Sequence, residues 1–143
     1  MMIRSILLPI DLSDDKGWQA PLEAALSLAR LYTAKLHVVA VLPDFGMAQV
    51  GAFFAGDYEK KALAAFGVAL NDWLRAHVPP DVEAHPHVLH GSIYDEVLRA
   101  ADKLAVDLIV IGAHRPKLKD YLLGPNAARV VRHASQSVYV VRG

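Results

Sequence analysis

Apolar residues along the chain fall into two alternating patterns. From Ile3 to Ile10 they close into the unbroken run Ile6-Leu7-Leu8-Pro9-Ile10, the signature of a strand buried on both faces. The polar stretch Asp11-Leu12-Ser13-Asp14-Asp15 comes next as a loop. From Trp18 to Tyr32 the spacing becomes helical, with Leu22, Ala25, Leu26 and Ala29 on one stripe. Pro21 fits that helix only near its first turn. Leu36 to Leu42 is again strand-like. Pro43 to Gly56 carries three glycines together with Phe45, Met47, Phe53 and Phe54, and is predicted as a long loop over one end of the sheet. Asp57 to His77 is predicted as a long amphipathic helix that Pro79-Pro80 stops. Val82 to Leu89 reads as a short alternating strand. Ser92 to Leu104 reads as a helix with a capping box from Ser92 to Asp95. Asp107 to Ile111 is an apolar strand, Asn126 to His133 a short helix, and Ser137 to Val141 a last strand.

Five strands alternating with four helices predict a parallel, doubly wound α/β sheet, because each parallel connection needs a crossover. No repeat, linker or low-complexity segment interrupts the 143 residues, so one domain, 1–143, is expected. Hydrophobic residues make up 54% and charged residues 21%, a globular composition. The 15 basic and 15 acidic residues balance, which gives no reason to expect a nucleic acid or an acidic membrane as partner. Cysteine is absent, so disulfides and thiol chemistry are excluded. The opening MMIRSILLPID has an apolar run too short for a signal peptide or a membrane span, and a cytoplasmic protein is the expectation.

Ligands of open α/β sheets bind beyond the carboxyl ends of the strands. Four loops lie on that edge, beginning at Asp11, Leu42, Gly91 and Gly112. The last is the richest. Gly112 ends a strand and Gly124 precedes a helix, whose first turn offers unpaired N–H groups to an anion. His114, Arg115, Lys117 and Lys119 add positive charge between them. The same two glycines also serve as ordinary turn devices. The loop is neither a Walker A motif nor the Rossmann G-x-G-x-x-G.

Other candidates carry two readings each. His85 and His87 share a strand face, with His90 near, as a zinc or nickel site or as a solvated face. His114 fits a phosphate contact better than acid–base work, and His133 fits a helix C-terminus. Phe45, Met47, Phe53 and Phe54 form a lid or partner surface, or simply pack over the sheet edge. The final strand is either a pairing edge or an edge covered within the monomer, with Arg142 as its cover.

Four stretches carry a family resemblance: ILLPIDLSDD, HVVAVLPD, HGSIYDEVLRAA and DLIVIGAHRP…YLLGPNAARVVRHASQSVYVVR. Along essentially its whole length the chain resembles the universal stress protein family, and within it the bacterial F and G types. Many members bind ATP through Gly-x2-Gly-x9-Gly-Ser/Thr. Gly112 matches the first glycine and Gly124 the third. Arg115 stands at the second, the spacer is one residue shorter, and Pro125 replaces the Ser/Thr. Pro125 removes a backbone donor and a hydroxyl, a loss of about 1.5–3 kcal/mol if nothing replaces them. Asn126 and Ala127 keep their N–H groups. The resemblance places the adenosine end near Pro9, Ile10, Asp11 and Val41. Asp11 on its own reads as a turn residue and Val41 as core.

The resulting expectation is a five-stranded sheet of order 3-2-1-4-5 in a stress-response regulator. It binds ATP or a related adenine nucleotide with Mg. The phosphates lie on Gly112, His114, Arg115, Gly124, Asn126 and Ala127. The resemblance also implies a homodimer through Val138, Tyr139 and Val140. The alternatives are a nucleotide-free interaction module with a protein partner, and a slow ATPase or autokinase. The last has only Asp11 and His114 as a general base.

Overall fold

The computed structural model describes residues 2–42, 51–113 and 124–143, with 51–57 described through their backbone alone. Nine elements succeed one another: β1 (Ser5–Ile10), α1 (Gln19–Tyr32), β2 (Lys35–Leu42), α2 (Gly51–His77), β3 (Ala84–His90), α3 (Ile93–Lys103), β4 (Leu108–Gly112), α4 (Pro125–His133) and β5 (Ser137–Val141). The strands form one sheet of order β3-β2-β1-β4-β5, and every pairing is parallel. The expected order is therefore the observed one.

Strand alternation divides the core in two. Ile6, Leu8, Val38 and Val110 point to one face, where Leu22, Ala25 and Ala29 of α1 and Leu70 and Trp73 of α2 cover them. Leu7, Val39, Ile109 and Ile111 point to the other, under Val97 and Ala101 of α3 and Val130 of α4. Ile6, Leu7 and Leu8 are all fully buried, which explains the unbroken apolar run in β1. The far end of β1 is tied to β4 by Asp107, whose Oδ2 accepts the amides of Arg4 at 2.8 Å and Ser5 at 3.1 Å.

Three sequence expectations are corrected. α2 begins at Gly51, six residues before Asp57, so the backbone of Phe53 and Phe54 is helical rather than loop. Isolated glycines cost a helix only about 1 kcal/mol each, and the residues around Gly51 and Gly56 are good helix formers. The remainder of that stretch, with Phe45 and Met47, lies outside the described residues, as do the side chains of Phe53 and Phe54. The capping box at α3 is not made: Ser92 is the N-cap, with extended backbone, but its side chain makes no capping bond. β3 does not alternate; all its positions are half-buried except the exposed Pro86. The cause is its place at the sheet edge, where a proline without an N–H is also tolerated.

Two connections are short because non-glycine residues accept the left-handed conformation. Thr33 and Ala105 both have φ of 51°. Each turns its chain so that the next amide reaches back into the helix: Ala34 N to Ala29 O at 2.9 Å, and Val106 N to Ala101 O at 3.1 Å. Ala105 gains nothing from its methyl in this conformation. Ala105→Gly is expected to raise unfolding stability by about 1 kcal/mol, measured by urea denaturation. An unchanged or lower midpoint would mean that the turn is not strained.

Candidate functional site

β1 lies between β2 and β4, and the winding of the chain reverses there. Such a switch point leaves a crevice beyond the carboxyl ends of the strands. Here it opens into a cleft of about 670 Å³, within the usual range for a small-molecule site. Pro9, Ile10 and Asp11 enter it from β1, Val41 and Leu42 from β2, and Ile111 and Gly112 from β4. Gly124, Pro125, Asn126 and Ala127 enter it from the start of α4. Eight residues singled out in the sequence, from four separate segments, thus line one cavity. The other two, His114 and Arg115, lie outside the described residues, as do Lys117 and Lys119.

The walls differ in chemistry. Near β1 and β2 they are largely apolar. Trp18 extends that surface, held edge-to-face against Trp73 with ring centroids 5.2 Å apart. At the rim, Asp11 turns its Oδ1 back onto its own loop. It accepts the Ser13 amide at 2.9 Å and the Ser13 hydroxyl at 2.6 Å. This is an Asx turn, so the turn reading of Asp11 is realised. Its Oδ2 has no hydrogen bond among the described residues and remains available. Asp14 closes the next turn, with Oδ1 accepting the amides of Lys16 and Gly17, both at 3.0 Å.

The opposite wall is a helix start. Gly124 is the N-cap with extended backbone, and Pro125 is the first residue of α4. The first intrahelical bond is Ala128 N to Gly124 O at 2.9 Å. The amides of Asn126 and Ala127 therefore have no acceptor within the helix, and no side chain caps them. Two N–H groups and the positive end of the helix dipole face the cleft.

Gly112 has a packing role that the sequence did not disclose. A Cβ there would stand 3.0 Å from Pro21 Cγ. The end of β4 thus presses against the first turn of α1, and glycine is what permits it. Ser13, Trp18 and Pro21 also line the cleft, and sequence reasoning did not mark them as site residues. The Asp11-x-Ser13 spacing of an Asx turn was the one available signal; nothing in the sequence links Pro21 to Gly112.

Of the histidines, His85 and His87 do share a face, but His90 does not join them. It points to the opposite face, where its Nδ1 lies 3.0 Å from Glu59 Oε1. The third imidazole beside them is His37, from β2. His133 stands exposed in the last turn of α4, as expected.

The family model for the universal stress protein family matches residues 2–142. Universal stress protein G of Shigella flexneri is 31% identical over 143 residues, covering 99% of this chain and all of that relative. Among solved structures, a protein designated MJ0577 superposes with a TM-score of 0.83 at 19% identity, over 100% of this chain and 98% of its own. A universal stress protein from Archaeoglobus fulgidus in complex with dAMP superposes with 0.63 at 23% identity, over 99% and 100%. A universal stress protein solved in complex with cAMP gives 0.67 at 19% identity, over 99% and 98%.

The close approach at Gly112 is measurable. Gly112→Ala is expected to cost about 1–3 kcal/mol by overpacking. In the Pro21→Ala background the same change should cost much less, because the opposing carbon is gone. Equal costs in the two backgrounds, by chemical denaturation, would show that Pro21 is not what Gly112 accommodates.

Proposed function

The chain belongs to the universal stress protein family, and from that premise we propose that its cleft binds an adenine nucleotide, with ATP and Mg as the preferred form. One observation carries this reading: the eight described candidates from four segments line a single cavity with an apolar end and an amide end. The base lies against Pro9, Ile10 and Val41, with Asp11 Oδ2 at the ribose or base edge. The phosphates lie toward Gly112, Gly124, Asn126 and Ala127, and His114 and Arg115 are assigned to them from the sequence. Relatives solved with dAMP and with cAMP support the adenine part of the proposal.

Pro125 sets the strength. As first residue of α4 it leaves two free amides where three would stand. Binding is weakened by about one to two decades rather than lost. The protein is then a stress-response regulator that senses nucleotide. Catalysis is at most slow, since the carboxylates that line the cleft among the described residues, Asp11 and Asp14, each use one oxygen to hold their own turn, and Asp11 Oδ2 is assigned to binding. The missing donor also favours a second reading, a nucleotide-free interaction module with a protein partner.

We also propose a homodimer through β5. This strand is a sheet edge, and Tyr139 is 47% exposed on it, while Val138 and Val140 pack partly inward. An apolar edge of this kind favours strand pairing.

The cleft and the interface are tested separately. Saturating Mg-ATP is expected to raise the melting temperature clearly and AMP much less; a ligand at a hundred times its Kd contributes about 2.7 kcal/mol. Gly124→Val, which crowds the helix start, should remove the shift while the protein still folds. No shift in nucleotide-free protein, or the same shift in that variant, would exclude this cleft and leave the interaction module. Light scattering after size exclusion is expected to give twice the 15.6 kDa chain mass, and Tyr139→Lys to give the monomer. A wild-type monomer would rule the β5 pairing out.

A further inference from the structure

A group of imidazoles lies on the sheet away from the cleft. β2 and β3 pair with His37 opposite His85 and Val39 opposite His87. All three histidines therefore project from the face that carries Val39 and Leu7. α2 packs on β3 from the opposite face, through Val88 and Ala84. His85 stays 44% exposed, and His37 and His87 are half-buried. The ring centroids of His37 and His85 are 5.4 Å apart with 29° between their planes, and those of His37 and His87 are 5.1 Å apart with 38°. His37 Nδ1 and His87 Nε2 meet at 2.9 Å.

We propose that His37 Nδ1 and His87 Nε2 chelate one divalent transition-metal ion of the copper(II) or nickel(II) class, with water in its remaining positions. The separation of the two nitrogens is the main observation. Ligands about 2.0 Å from a metal stand about 2.8 Å apart at right angles and about 3.3 Å apart at the tetrahedral angle. The observed 2.9 Å fits adjacent corners of a tetragonal site and is short for tetrahedral zinc. To chelate, each ring turns its lone pair about 45° off the line joining the two nitrogens, toward a common point.

The surroundings suit an incoming cation. Both imidazoles are held below the ordinary histidine pKa, by burial first and then by the neighbouring histidines. Burial disfavours the charged form, the same direction that metal binding requires. In the metal-free pair one ring donates its N–H to the other. On binding, that ring carries its proton on its other nitrogen, both lone pairs go to the metal, and two waters leave it. Glu83, hydrogen-bonded to His85 Nε2 at 2.7 Å and 3.8 Å from Lys35, supplies a nearby negative charge. Its pKa is pulled down by that hydrogen bond, so it stays ionised. No three-residue ligand set is preassembled among the described residues, which makes this a two-nitrogen site. His37 lies four residues before Val41, about 13 Å along β2, so the inference is independent of the nucleotide reading.

The test uses the full chain, stripped with a chelator and titrated with copper(II) by calorimetry and electron paramagnetic resonance. The expected result is one equivalent bound, with a tetragonal, nitrogen-ligated spectrum. His37→Asn and His87→Asn should each weaken it at least tenfold, and His133→Asn should not. On the unaltered protein, substoichiometric copper(II) should broaden the ring resonances of His37 and His87 together in NMR, whether or not the variants fold. No stoichiometric uptake, full affinity in both folded variants, or copper broadening confined to other histidines would each overturn the proposal.

Discussion

Parallel pairing of β1 with both β2 and β4 is the constraint on which the rest of the molecule depends. Neighbours that run the same way cannot be joined by a hairpin, so the chain must cross the sheet through helices. Helices on both faces require both faces to be apolar. That requirement falls hardest on β1, where Ile6 and Leu8 serve one core and Leu7 the other. All carboxyl ends then collect along one edge. The reversal of winding beside β1 prevents the loops there from closing over one another, and the cleft is what remains.

The cleft's polarity has the same origin. Strand ends contribute apolar residues because they continue a buried sheet: Ile10, Val41 and Ile111 are core positions whose tips reach the cavity. Polar groups come from the turns and the helix start beyond the strand ends. Asp11 and Asp14 are committed largely to their own turns. The start of α4 is not so committed, because glycine supplies no capping side chain and proline no N–H. An apolar slot facing two uncapped amides is the polarity on which the proposed ligand rests, with a flat, weakly polar group at one end and an anion at the other. The contact of Gly112 with Pro21 keeps that geometry tight by pinning α1 against the end of β4.

Much of this was legible in the sequence, and the exceptions share a cause. The unbroken run Ile6 to Ile10 and the 3.6-residue stripe of α1 disclose buried strand and covering helix, since burial acts on every residue of the element. Gly112 and Gly124 were legible as loop ends because chain direction alone requires something special there. The start of α2 was not, since Gly51 and Gly56 read as breakers by local preference and the continuity of the helix overrides it. Ser92 has the right residue type for a cap, but its side chain makes no bond to the helix amides. Pro21 against Gly112, and His37 against His87, lie 91 and 50 residues apart. Contacts of that kind are set by strand order and register, which no window of sequence contains.

Register also explains why the two edges of the sheet behave differently. Any open sheet has two outer strands with unpaired backbone groups, and each must be blunted or used. β3 is blunted: Pro86 offers no N–H, and half-buried histidines flank it on the sheet face. β5 has none of these devices. Its Ser-Val-Tyr-Val-Val is β-branched and aromatic, carries no proline or charge, and leaves Tyr139 in solvent. Had both edges been defended, the exposed tyrosine would be an unexplained cost. With β3 blunted, β5 is the edge that remains open, which is the contrast behind the proposed pairing of β5 with its own copy. The imidazoles of β2 and β3 stand on the sheet face beside that edge, and polar groups gathered there are also groups able to accept a cation.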